Sequence, residues 1–317
     1  MGSMTKVMQK IQEAEAAPAP SVPETEAVTS APPPGTKEAV SSFVPGEAAP
    51  DTAVAPDDGR CGARPLQGDA AGTERNAGAD DGRTVTWDPQ RVDPVIVAFH
   101  DRYSAVCEQY RGVRARLLTM NPARAPQILA ITSAIPEEGK SVSTVNLGLV
   151  MAEGNEHRIL IADADFRRTS IARMLGVSDT PGLADVLTGA VPLATALQPT
   201  PLPNLKLLPA GRVRDNAYAE LLGGPSTGQV LSELRQQFDY VFLDTPPITT
   251  VSDVCLLAPR CDGALVVVQM RRTPEPTVQQ AVRTLQANNV KIVGAILSRF
   301  RERGSAYYEH YYSYYYR

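Results

Sequence analysis

The chain has 317 residues, with 31 Lys and Arg against 35 Asp and Glu and a formal net charge of −4. That balance lacks the basic footprint of a nucleic-acid binder, so no nucleic-acid partner is expected. Cys61, Cys107, Cys255 and Cys261 show neither CxxC spacing nor matched histidines, which argues against structural zinc and a disulfide framework and suits a reducing cytosol.

The opening stretch MGSMTKVMQKIQEAEA reads as a short amphipathic helix through Val7, Met8 and Ile11, with a frayed end as the alternative. Proline, alanine, glycine and acidic residues then dominate as far as residue 92, and large apolar residues are scarce. Such a segment buries too little surface to offset its ordering entropy, so residues 1–92 are expected to be disordered. No apolar run approaches the ~18 residues that cross a bilayer, and no signal peptide is visible.

Residues 93–303 form the expected folded domain. Its first helix carries EQYRGVR, where Glu108, Arg111 and Arg114 share one side and Val106, Tyr110, Val113 and Leu117 make an apolar stripe. Spacing alone leaves the charged side open between a solvated face and a subunit contact. Six apolar runs follow as strand candidates: 127–134, 157–165, 204–211, 239–247, 263–270 and 291–300. They are near-continuous in Ile, Leu and Val, as strands buried on both faces are. Helix candidates at 140–154, 226–238 and 274–289 alternate with them. Strand, helix, strand in repetition predicts an α/β fold with a mainly parallel sheet and helices on both faces.

The strand QILAITSA runs into SAIPEEGKS and then a helix. Gly139, Lys140 and Ser141 complete a phosphate-binding loop, with Ala134 where the first glycine usually stands. Loop amides and the helix N-terminus aim donors at an anion, Lys140 adds a point charge, and Ser141 offers a hydroxyl to Mg2+. Glu137 and Glu138 are unusual so near phosphates and are expected to weaken nucleotide binding more without Mg2+ than with it. Asp163 and Asp165 end the next strand on one side of an extended chain, where both can face a ligand. Asp244 ends a further strand before two prolines and is placed to hold a metal-bound water. For each aspartate alone, strand-end capping is the competing reading. Asp163 is the first candidate for a proton-accepting base and Asp165 the second. The chain closes on YYEHYYSYYYR, with Tyr307, Tyr308, Tyr311, Tyr312, Tyr314, Tyr315 and Tyr316 in what is expected to be a flexible tail from 304 to 317.

SAIPEEGKS, ILIADADFRR, YVFLDTPP and the terminal tyrosines together resemble the bacterial tyrosine autokinases, whose phosphate-loop fold is shared with the MinD and ParA partitioning ATPases. The resemblance runs from about residue 98 to the end. It implies that Ala134, Glu138, Gly139, Lys140, Ser141, Val142 and Arg167 contact ATP. It further implies that Ser141, Asp163 and Asp244 hold Mg2+, and that Lys140, Asp163, Asp165 and Asp244 serve catalysis. The tail tyrosines would be the phosphoacceptors, modified in trans. Glu108, Arg111 and Arg114 match the family's Glu-x-x-Arg-x-x-Arg oligomerisation motif, implying a homo-oligomeric ring. Ile135 stands where partitioning ATPases carry a second lysine, which favours the kinase branch. Glu137 departs from the family's glycine, and Ser298 from an asparagine near the base. The resemblance also implies a cytoplasmic enzyme, held at the inner membrane through a separate membrane-bound activator of the polysaccharide co-polymerase type. A protein-tyrosine phosphatase would oppose it, and the output would be exopolysaccharide or capsule synthesis. The competing functions are a partitioning-type ATPase switch and a non-catalytic scaffold.

Overall fold

Alternation of apolar side chains organises the sheet. In the computed structural model, which describes residues 85–213, 217–251 and 253–299, the strands are β1 (Gln127–Ser133), β2 (Ile159–Asp163), β3 (Gln198–Pro199), β4 (Leu205–Leu208), β5 (Tyr240–Asp244), β6 (Gly263–Gln269) and β7 (Ile292–Ser298). They lie in the order β3-β4-β2-β5-β1-β6-β7. Every neighbouring pair is parallel except the short β3–β4 pair. Leu129 and Ile131 of β1, Ile159 and Ile161 of β2, and Tyr240 and Phe242 of β5 enter one core cluster. The intervening Ile128, Leu160, Val241 and Leu243 enter a second cluster on the other face. A period of two therefore splits each strand between two buried layers.

The helices supply those layers. They are α1 (Val97–His100), α2 (Ala105–Thr119), α3 (Lys140–Ala152), α4 (Ile171–Leu175), α5 (Leu183–Leu187), α6 (Leu193–Ala196), α7 (Tyr218–Gly223), α8 (Pro225–Gln237), α9 (Asp253–Leu257) and α10 (Glu275–Ala287). Val145, Leu149 and Ala152 of α3 join the first cluster with Cys107 and Leu117 of α2. Val230, Leu231 and Leu234 of α8 pack on the opposite face. Beside them, Val278, Val282 and Leu285 of α10 cover β6. Each large side chain so buried contributes about 1.5–3 kcal/mol. α3 approaches β2 through Gly148, where an added Cβ would lie 2.5 Å from Ile161.

The mainly parallel α/β sheet expected from the sequence is present, with each strand one to several residues shorter than its apolar run. Short helices α4 to α7 and α9 carry too few residues for helical periodicity to show. Packing begins earlier than the expected 93: Trp87 and Val92 are buried in the first cluster, and Asp93 N–H donates to Met174 O at 2.8 Å. The expected stripe on α2 is also corrected. Val106 is exposed, and Cys107 takes the buried place, because the helix turns that side toward α3. Among the described residues no helix is long and apolar enough to cross a membrane. The expected N-terminal helix, the Pro/Ala/acidic segment through residue 84 and the seven tail tyrosines lie outside the described residues.

Candidate active site

The loop from Ala134 to Gly139 joins β1 to α3 at the C-terminal edge of the sheet. Gly139 precedes α3 with φ +92, a left-handed conformation that side chains resist. The loop is fastened from outside: the Thr249 hydroxyl donates to Ala134 O, and the Ser298 hydroxyl donates to Glu138 O at 2.6 Å. Ser298 thus braces the loop backbone, 3.6 Å from where a Gly139 Cβ would stand.

Parallel register brings the carboxylates together. Asp244 aligns with Asp163 across β5–β2 and with Ile131 across β5–β1. Lys140, at the start of α3, reaches back over these strand ends. Its Nζ lies 2.7 Å from Asp165 Oδ2, 3.4 Å from Asp244 and 3.2 Å from Ser141 Oγ. All four acidic and basic groups are buried. Burial alone would lower the lysine's pKa, but the Asp244 and Asp165 carboxylates outweigh it and raise it. Burial first, and the neighbouring Asp244 second, push Asp163 up to about 8. Asp244 is raised too, by burial, despite the opposing pull of Lys140 and Ser141. The site therefore holds more acid than its one lysine can balance.

The two aspartates of β2's end do not act alike. Asp165 turns to Lys140, whereas both Asp163 oxygens accept main-chain hydrogen bonds: Oδ1 from Asp165 N–H at 3.0 Å, Oδ2 from Ser170 and Ile171 N–H at 3.1 and 3.2 Å. Asp163 ends the strand and is held by the main chain that bends toward α4, while Asp165 faces the lysine.

Three further residues of the expected nucleotide set are occupied by protein partners. Glu138 does not present its carboxylate to a phosphate. Oε2 accepts from Ile135 N–H at 2.7 Å, and Oε1 accepts from Gln269 N–H at 3.0 Å and from the Thr273 hydroxyl. Only its main-chain amide remains for an anion. Val142 likewise packs its side chain against the core, leaving its amide. Arg167 pairs with Asp253 at 2.7 Å and lies over the Tyr218 ring at 4.8 Å. Exposed Glu137, at φ +66, lies 3.8 Å from Arg168 and 3.4 Å from Arg272.

Glu108, Arg111 and Arg114 lie away from this cluster on α2. Arg111 donates through Nε and Nη2 to Glu153 at 2.8 Å each and through Nη1 to Glu108. Arg114 stands 3.9 Å from Glu153. Burial would raise the Glu153 carboxyl, but the Arg111 bonds hold it below the usual range. Sequence reasoning missed Glu153, Asp253, Gln269 and Thr273, since none stands at a spacing that signals its distant partner.

Ser141, Asp244 and Asp163 supply hard oxygen donors beside surplus negative charge, which suits a small divalent cation. Among the described residues no three His, Cys, Asp or Glu side chains form a complete metal cage. Magnesium would accordingly draw most of its shell from water and phosphate.

Residues 124–301 match the ParA family model, described as a NUBPL iron-transfer P-loop NTPase. The chain is 30% identical to the tyrosine-protein kinase YwqD of Bacillus subtilis, over 66% of this chain and 87% of YwqD. It is also 30% identical to the succinoglycan biosynthesis transport protein ExoP of Rhizobium meliloti, over 62% of this chain but only 25% of ExoP. The chain thus spans about a quarter of that larger relative. Among solved structures, the kinase domain of the Escherichia coli tyrosine kinase ETK superposes with a TM-score of 0.62 at 28% identity, covering 66% of this chain and 82% of ETK's.

Proposed function

The chain belongs to the bacterial tyrosine-protein kinase family, built on the ParA-type P-loop NTPase fold, and on that premise we propose an Mg-ATP-dependent kinase that phosphorylates its own terminal tyrosines in trans. One observation carries the reading: Lys140, Ser141, Asp163, Asp165 and Asp244 converge at the end of a phosphate loop, three buried carboxylates around one buried lysine.

In this reading the loop amides and the first turn of α3 cradle the nucleotide phosphates. Lys140 exchanges its carboxylate contacts for the transferring phosphate, neutralising charge as it builds. Ser141 and Asp244, with Asp163 beside them, would hold Mg2+, which would supply positive charge to the phosphates. Asp163, at the strand end level with Asp244, is placed to act as the general base. It takes the phenol proton as the tyrosine oxygen bonds to the γ-phosphorus and the bond to the ADP oxygen breaks. Asp165 steers Lys140 between these states.

The acceptors are Tyr307, Tyr308, Tyr311, Tyr312, Tyr314, Tyr315 and Tyr316 of a neighbouring copy, the copies meeting through the α2 face in a ring. Each phosphate adds about −1.5 to −2 charge, and phosphorylation loosens that ring. Family membership supports a role in exopolysaccharide or capsule synthesis. The same support extends to a cytoplasmic location beside a membrane-bound activator and to an opposing phosphatase.

The match to the ParA model favours one second reading, an ATPase switch that releases phosphate without labelling protein. Incubating the pure chain with γ-labelled ATP and Mg2+ separates the two. Label on tail tyrosines, lost in Lys140→Met, is the expected result. Phosphate release without label would instead establish the switch.

A further inference from the structure

Residues 269–273, from the end of β6 toward α10, close over the phosphate loop from its far side. Gln269 N–H and the Thr273 hydroxyl both reach Glu138 Oε1. Arg272 donates to Glu137 O at 3.2 Å and pairs with the Glu137 carboxylate at 3.4 Å. Within the loop, Ile135 N–H bonds to Glu138 Oε2, and Ser298 caps the Glu138 carbonyl. Glu138 is 1% exposed. It is the one loop side chain that ties the start of the loop, its end and the β6–α10 turn together.

We propose that Glu138 and Thr273 are positioning residues for nucleotide binding: the buried carboxylate, clasped by the 269–273 turn, sets the loop curvature on which the phosphate-facing amides depend. This rests on the phosphate-loop reading above. The chemistry at 138 is demanding. Three donors converge there from two sides, and a carboxylate offers two acceptor oxygens with no proton to misplace. A glutamine would set an NH2 against either the Ile135 or the Gln269 N–H. Alanine would leave those amides buried without partners. Either change lets the loop relax, and near-attack geometry is sensitive to shifts on that scale.

The experiment compares Glu138→Gln, Thr273→Ala and Thr273→Ser in the full chain, with Lys140→Met as a control on the underlying reading. The readouts are KM for ATP against kcat, the affinity for Mg-ADP by direct titration, and the melting temperature. Loss of one bond to a charged acceptor weakens nucleotide binding about tenfold. The expected result is therefore a roughly tenfold rise in KM and in the Mg-ADP dissociation constant for Thr273→Ala. Glu138→Gln should lose more, and Thr273→Ser, which keeps the hydroxyl, should restore binding. Thr273 carries the decision if Glu138→Gln fails to fold. Unchanged nucleotide binding in Thr273→Ala with only a lower melting temperature overturns the proposal. Unchanged binding in Lys140→Met as well overturns the phosphate-loop reading itself.

Discussion

Two cations in this protein each stand between two carboxylates, and they behave in opposite ways. Arg111 sits on a helix face, partly open to solvent, and meets Glu153 and Glu108. Lys140 sits buried at the sheet edge and meets Asp165 and Asp244, with Asp163 alongside. Around Arg111 the Glu153 carboxyl is held low; around Lys140 the Asp163 and Asp244 carboxyls are pushed up. The first arrangement is settled, because a fork of donors matches the acids with water nearby. The second is in surplus, because burial removes the solvent that would spread the charge. A pocket left with unbalanced acid is suited to take up a cation and a phosphate together. A balanced pair is suited to hold two helices in place.

The largest effect expected from breaking this comparison is at Lys140. Lys140→Met should cut tyrosine phosphorylation by roughly 10²–10³-fold while circular dichroism keeps its α/β signature. Retained activity would remove the lysine from the chemistry. Arg111→Ala should instead cost stability, about 1–3 kcal/mol in denaturant unfolding, since it removes both hydrogen bonds to Glu153 and the one to Glu108. If unfolding were unchanged but the oligomer fell apart, the arginine would act between subunits and not within one.

The two regions also predict opposite pH arms. Asp163 has a folded pKa above its unfolded value of about 3.9, so the native state binds more protons between that pH and about 8. Its contribution to stability is present at low pH and lost as pH rises, by about 2 kcal/mol between pH 6 and 8. Denaturation at the two pH values reads it directly. Asp244→Asn, which removes the repelling neighbour, should flatten the slope. Glu153 runs the other way: its folded pKa is depressed, so its contribution holds above pH ~4.3 and fades as pH falls. The smallest effect is expected at Val106, which the apolar stripe placed inward and the fold leaves exposed. Val106→Ala should change stability by no more than about 0.5 kcal/mol; a cost of several times that would return the residue to the core.

Much of this was readable in advance. The sheet followed from runs such as ILIAD and YVFLD, whose apolar continuity demands burial on both faces. The phosphate loop followed from a glycine, a lysine and a hydroxyl set between a strand and a helix. Short helices were not legible, since five residues at 171–175 cannot display a period of 3.6. Nor was the fate of Glu138, read from its neighbours as a charge opposing phosphate and found turned inward.

What the sequence by itself determined, then, is the alternation of strand and helix and the arrival of Lys140, Asp163, Asp165 and Asp244 at one edge, because parallel strands all end on the same side. What only the tertiary structure decided is which acid each cation meets. Arg111 finds Glu153 across 42 residues, Arg167 finds Asp253 across 86, and Glu138 finds Gln269 across 131. The direction of a long polar side chain depends on the donors and acceptors that folding carries to it, and those partners carry no mark in the local chain.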